Sequence, residues 1–219
     1  SSNALAAVGG NSAVINLLIN LFVGLSVGAN VVIASYIGQG KRERLKQVVQ
    51  TVMLLAVACG LLMTLVGIAA ARPVLELIRT PDNILDQAML YLRIYMIGMP
   101  FIMIYNFGAA ILRSIGDTKR PLFCLIVSGV INVILNLVLV IVFRLDVAGV
   151  AIATVVSNIV SSGIVVFILM HEEEDLRLTF HDFKVNMHDL GKVLRIGMPA
   201  GVQAVSYTHL RAHETPEHL

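Results

Sequence analysis

Asn132 and Asn136 stand four apart in GVINVILNLVL (129–139), with Ser128 one turn before them, in a run that is otherwise apolar. In a helix this spacing puts all three on one stripe. A second stripe joins Asn16 and Asn20 to Gly24 and Gly28, and a third holds Thr154, Ser157, Asn158, Ser161 and Ser162. Amides and hydroxyls donate and accept hydrogen bonds but exchange no proton near neutral pH. Their chemistry is to coordinate a cation, wall a polar cavity or bond helix to helix through small residues. Three striped helices imply one shared polar interior.

Signals for enzymatic chemistry are weaker than they look. His171 opens HEEED (171–175), but Asp175 stands where the second His of the zinc-binding H-E-x-x-H belongs. His171, His181 and His188 have no Cys partners and read as surface residues. Gly38-Gln39-Gly40 is followed by no G-K-[ST] at the spacing of a phosphate loop. Cys59 and Cys124 both fall inside apolar runs and read as buried thiols, not a disulfide framework. With no nucleophile–base pair, neither an enzyme nor a bound cofactor or metal is expected.

The elements that position the stripes follow from composition. The 219 residues are 57% hydrophobic and 14% charged, with a mean hydropathy of +0.84. Soluble domains are about a quarter charged, so the class is an all-α integral membrane protein. A net charge of +2 gives no reason to expect nucleic acid. A span needs about 20 apolar residues, and five segments qualify: 12–37, 47–71, 88–112, 121–143 and 147–170. A polar stretch, 171–192, follows. The chain has no initiator Met and no charged residue in 1–40, so no signal peptide is read and the start looks cut.

Lys and Arg set the orientation. The first and third connections and the segment after the fifth span hold Lys41, Arg42, Arg44, Lys46, Arg113, Lys119, Arg120, Arg177, Lys184, Lys192 and Arg195. The opposite side holds Arg72, Arg79, Arg93 and Arg144. The positive-inside rule places the richer side in the cytoplasm. No Asp, Glu or Lys lies deep in a span, so no ion-coupling carboxylate is expected there. Pro100, in the middle of YMIGMPFIMIYNFG, predicts a kink. Met96, Met99 and Met103 flank it, and Met99 and Met103 would offer adaptable apolar contact to a ligand or serve as packing.

ASYIGQGKRERLKQVV (34–49), AILRSIGDTKRP (110–121), GVINVILNLVL (129–139) and LDVAGVAIATVVSN (145–158) follow one another in an order that resembles the multidrug and toxic compound extrusion family. The resemblance covers residues 4–204. It implies twelve spans in two six-helix lobes related as repeats. The five spans then correspond to helices two to six, and residues 1–170 to a partial first lobe. Residues 171–192 would be the cytoplasmic linker between lobes, and VLRIGMPAGVQ (193–203) resembles the opening of helix seven, so that 193–204 start the second lobe. VSYTHLRAHET (205–215) resembles a translated sequencing adapter, so 205–219 are expected to be artefactual and His209, His213 and His218 not to form a metal site.

In some family members a cation-responsive network in the first lobe uses an acid on helix one, an Asn and an Asp on helix five, and a Thr on helix six. By resemblance the Asn falls on Asn132 and the Thr on Thr154. The Asp position holds Asn136, which puts a proton relay through this lobe in question. A Tyr of helix four corresponds to Tyr91 or Tyr95, with the choice open. The expectation is a cation-coupled (Na+ or H+) multidrug antiporter of a bacterial cytoplasmic membrane, working by alternating access on amphipathic organic cations. Its pathway would draw on Asn132, Asn136, Thr154, Asn158 and the methionines, and it would need the missing helix one and second lobe. The alternatives are a lipid-linked oligosaccharide flippase, which would need basic residues along its cavity, a membrane-embedded enzyme, and a non-transporting half-protein.

Overall fold

A computed structural model describes residues 2–77, 80–181 and 184–214, with side chains described within 19–76, 80–181, 184–204 and at 206. Arg79, His218 and the side chains of Asn16, His209 and His213 lie outside these described residues. Among the described residues seven α-helices follow in chain order: α1 (Ser2–Gly38), α2 (Arg42–Leu77), α3 (Asp82–Ile97), α4 (Met99–Ser114), α5 (Lys119–Asn136), α6 (Asp146–Met170) and α7 (Met187–Glu214). A π-helical turn, Leu137–Val142, prolongs α5. No strand occurs among the described residues. Helices are what a chain this apolar must form in lipid, because only they satisfy every backbone group within the segment.

The described part of α1, α2, α5 with its π turn, and α6 are each long and apolar enough to cross a membrane, and α3 with α4, bent by 45° at their junction, adds a fifth. The break falls at Gly98, two residues before Pro100, which sits in the first turn of α4. Proline supplies no N–H to the carbonyl of Met96, one turn back. The Thr64 hydroxyl of α2 takes that role, donating to the Met96 carbonyl at 2.6 Å while also reaching the Gly60 carbonyl at 3.0 Å. Thr64→Val is therefore expected to cost about 1 kcal/mol, the scale of a hydrogen bond between membrane helices. In a Pro100→Ala background, where an N–H returns, the cost should fall. A double-mutant cycle on unfolding temperature in detergent checks this, and equal costs in both backgrounds would refute the assignment.

α4 is the central element, packed against α1, α2 and α6. Its Met99, Met103, Phe107, Ala109, Ala110 and Leu112 have no exposed surface. α5 is peripheral and packs mainly on α6, leaving Phe123, Ile126, Val130 and Val133 on an open apolar face.

The Lys- and Arg-rich connections meet at one end, as the charge asymmetry requires. Gly40 closes α1 with φ of +69° and Gly116 turns the α4–α5 loop with φ of +81°, a region glycine enters without strain. Asp117 then accepts the backbone N–H groups of Lys119 and Arg120, both at 3.1 Å, and caps α5. Arg120 pairs with both Asp117 and Glu172, tying this loop to the end of α6. Burial pushes the Asp117 carboxyl up, but its bonds from Arg120 and Lys119 outweigh that and hold it below the ordinary carboxylate range. Arg42 reaches Asp175 at 3.5 Å.

Residues 179 and 184–186 are strapped to α2. Gln50 donates to the Thr179 hydroxyl at 3.0 Å and accepts from the Lys184 N–H at 3.3 Å, and Thr51 accepts from the Asn186 N–H at 3.1 Å. The side chain of Asn186 accepts the N–H of His188 at 3.0 Å. This cap starts α7 at Met187, inside the stretch expected to be linker.

Candidate functional site

The second and third polar stripes meet across the α5–α6 contact. Asn132 is the hub. Its amide nitrogen donates to the Ser157 hydroxyl at 3.1 Å and, at a longer 3.5 Å, to the Thr154 hydroxyl. Asn136 donates to the Asn132 side-chain oxygen at 2.9 Å and to its carbonyl at 3.0 Å. Ser128 donates to the Ser157 carbonyl at 2.9 Å. Thr154 and Ser157 donate back to carbonyls of α6, at 3.0 and 2.8 Å, so each hydroxyl is oriented by its own helix.

Chemically this is a neutral cluster of acceptors and donors. Asn132 and Asn136 are half-buried and Ser128 and Ser157 are buried. The side-chain oxygen of Asn136 is buried and accepts no hydrogen bond. The π turn begins at the next residue, Leu137; such turns often mark functional positions in helices. No group of three His, Cys, Asp or Glu positioned for a metal occurs among the described residues.

Of the other expected site residues, Tyr91 and Tyr95 lie one turn apart on α3, which packs on α6, with ring centroids 5.9 Å apart. Asn158 enters the network of α6 through its carbonyl, which accepts from Ser161 at 3.0 Å. Met99 and Met103 are wholly buried in the bundle core.

Of the first stripe, Gly24 and Gly28 pack on α7, and α1 also touches α6, which carries the third stripe. α1 and α5 make no contact among the described residues; α1 packs most extensively on α7. There Gly24 and Gly28 face Gly197 and Gly201 so closely that a Cβ on Gly24 would stand 2.1 Å from the Gly201 Cα. Small residues four apart on both helices permit this backbone approach.

The Lys- and Arg-rich end of that seam holds a group that sequence reasoning missed. Asp189 has no exposed surface. Tyr36 donates its hydroxyl to Asp189 Oδ1 at 2.5 Å, and Lys192 donates to the Tyr36 oxygen at 2.9 Å. Lys192 Nζ also lies 5.0 Å from the Tyr36 ring centroid. Asp189 Oδ2 has no hydrogen-bond partner. The sequence signal was available only as an Asp–Lys pair in a polar stretch, which by itself reads as solvated.

Among the described residues four apolar spans and one broken pair, with a polar network between two of the spans, form a polytopic helical bundle of the kind transporters build. The chain belongs to the MatE family, whose profile matches residues 1–138. It is 31% identical to the "Probable multidrug resistance protein YoeA" of Bacillus subtilis (strain 168), over 93% of the chain and 45% of that protein. It is 26% identical to the "Probable multidrug resistance protein NorM" of Thermotoga maritima, over 93% of the chain and 44% of that protein. Among solved structures it matches a MATE in the bent conformation with a TM-score of 0.88 at 26% identity, covering 94% of this chain and 46% of that one. An inward-facing multidrug resistance MATE transporter of the MOP superfamily matches with a TM-score of 0.86 at 27% identity, covering 93% and 47%. The chain thus spans about half the length of the relatives it matches. Members of this family are transporters, not enzymes.

Proposed function

We propose that the chain is the first lobe of a secondary active multidrug efflux transporter of a bacterial cytoplasmic membrane. Five spans would be helices two to six of twelve, and α7 would open the second lobe. The two lobes would rock about a central cavity and exchange amphipathic organic cations for Na+ or H+. The observation that carries this reading is the match of nearly the whole bundle to half of a multidrug transporter at a TM-score of 0.86. The α5–α6 network supports a part for Asn132, Asn136 and Thr154 in the pathway, because a buried amide oxygen with no donor is available to a cation or a water.

The test is efflux by the full-length gene in a host lacking its own pumps, with a fluorescent organic cation as substrate. Asn132→Ala removes the hub. Interhelical hydrogen bonds in membranes contribute about 0.6–1.7 kcal/mol, so efflux should slow roughly three- to twentyfold at unchanged expression. Efflux equal to that of the unaltered protein would remove Asn132 from the pathway. No efflux of any cation by the full-length protein would remove the multidrug reading itself.

A further inference from the structure

One face of α2 changes character as it enters the bilayer. Glu43, Lys46, Gln47 and Gln50 line a polar cavity of about 600 Å³ together with Thr179, His181 and Lys184. One turn on, Met53, Leu54 and Val57 line an apolar groove of about 360 Å³ with Ile104, Val166, Leu178 and Phe180. The linings of the two spaces follow one another along both walls. On α2 the residues recur at helical spacing down one face. On the facing segment, Leu178 and Phe180 turn into the groove and Thr179 and His181 into the cavity. Gln50, held to Thr179, marks the boundary. The segment is fixed there, because the Leu178 N–H also bonds the Leu169 carbonyl at the end of α6, at 2.9 Å. Phe180 is 67% exposed, on the side that the charge asymmetry assigns to the cytoplasm.

We propose that this site holds one anionic glycerophospholipid of the cytoplasmic leaflet. An acyl chain would lie along Met53, Val57 and Ile104, and the phosphate would sit between Lys46 and Lys184. Charge selects the occupant. The charged residues of the cavity are Lys46 and Lys184 against the single carboxylate of Glu43, with His181 at the rim. Basic pockets at this depth recognise anionic head groups, at about 1 kcal/mol per Lys near the surface. A protein segment or second copy would also bury the apolar groove and is an outcome of the test; the excess of Lys over carboxylate in the cavity favours the lipid phosphate. The inference rests on the orientation and not on the transport reading.

The chain contains no Trp, so Phe180→Trp places a single reporter at the groove. The probes are dibrominated phosphatidylglycerol and dibrominated phosphatidylcholine, each added to phosphatidylcholine nanodiscs holding the 219-residue chain. Expected is quenching by the anionic lipid at lower mole fraction than by the zwitterionic one. Lys46→Gln and Lys184→Gln should each reduce that preference about fivefold, with helicity by circular dichroism unchanged. Equal quenching by the two lipids would overturn the proposal, making the groove ordinary bilayer contact. A preference that survives both substitutions would overturn the headgroup site. Quenching by neither lipid would show that protein covers the groove and would overturn it as well. If Phe180→Trp lowers helicity, phosphatidylglycerol retention by native mass spectrometry, with and without Lys46→Gln, reads the same preference.

Discussion

Gly24→Leu is expected to detach α7 from α1. A Cβ at this position would meet the Gly201 Cα at 2.1 Å and its nitrogen at 2.3 Å, and a Cβ on Gly28 would meet the Val193 carbonyl at 2.4 Å. These neighbours are backbone, so no side chain can turn aside to make room. The helices must separate, and the dispersion contacts along the seam are lost with them. Overpacked side chains cost about 1–3 kcal/mol where neighbours can yield, and this substitution should exceed that range. Separation would also draw Asp189 away from Tyr36, leaving a carboxylate without its donor. Gly129→Leu is the control, because nothing lies within 4 Å of a Cβ there. Unfolding temperature in detergent and protease cutting within 171–186 measure the effect. A Gly24→Leu protein as stable as the Gly129→Leu control would show that the seam contributes nothing. If α7 opens the second lobe, as proposed, the same seam joins the lobes, and Gly24→Leu should also stop transport by the full-length protein.

What was legible in the sequence is what the bilayer enforces locally. Five spans could be read because each must carry a long apolar run. Asn132, Asn136 and Thr154 could be aligned because helical spacing fixes which residues share a face. Pro100 signalled the break because it lacks a donor, though the break itself falls at Gly98. Partnership across helices was harder to read. Gly24 and Gly28 were visible as a small stripe, and GMPAG (197–201) as a helix opening, but nothing local says that they face each other. The seam between α1 and α7 therefore had to come from the fold. Asp189 was hidden for the opposite reason. It lies among polar residues, and the docking of α7 onto α1 and α2 removes it from water. The π turn left no sequence signal, since Leu137–Val142 is as apolar as any neighbouring stretch.

Asn136→Asp should make both stability and efflux depend more steeply on pH. In the present structure the Asn136 amide nitrogen donates two bonds, to the carbonyl and to the side-chain oxygen of Asn132. An ionised carboxylate at this position has no proton to give and sets negative oxygens against two acceptors. The donors of Asn132 are no remedy, because they are engaged by Ser157 and Thr154. A protonated carboxyl restores one of the two bonds. The folded variant therefore holds a proton that the unfolded chain releases at ordinary carboxylate pH. Where the native state binds more protons, stability falls as pH rises. The variant should be most stable at acid pH and weaken through and above the ordinary carboxylate range, whereas the parent shows no such step. Unfolding temperature against pH tests the hydrogen-bond geometry, and a variant whose stability rises with pH would contradict it. Efflux against pH in the full-length protein tests the coupling role separately. A pH profile of efflux identical to the parent's, in a variant that does show the stability step, would leave Asn136 as a structural amide and place cation coupling elsewhere in the transporter.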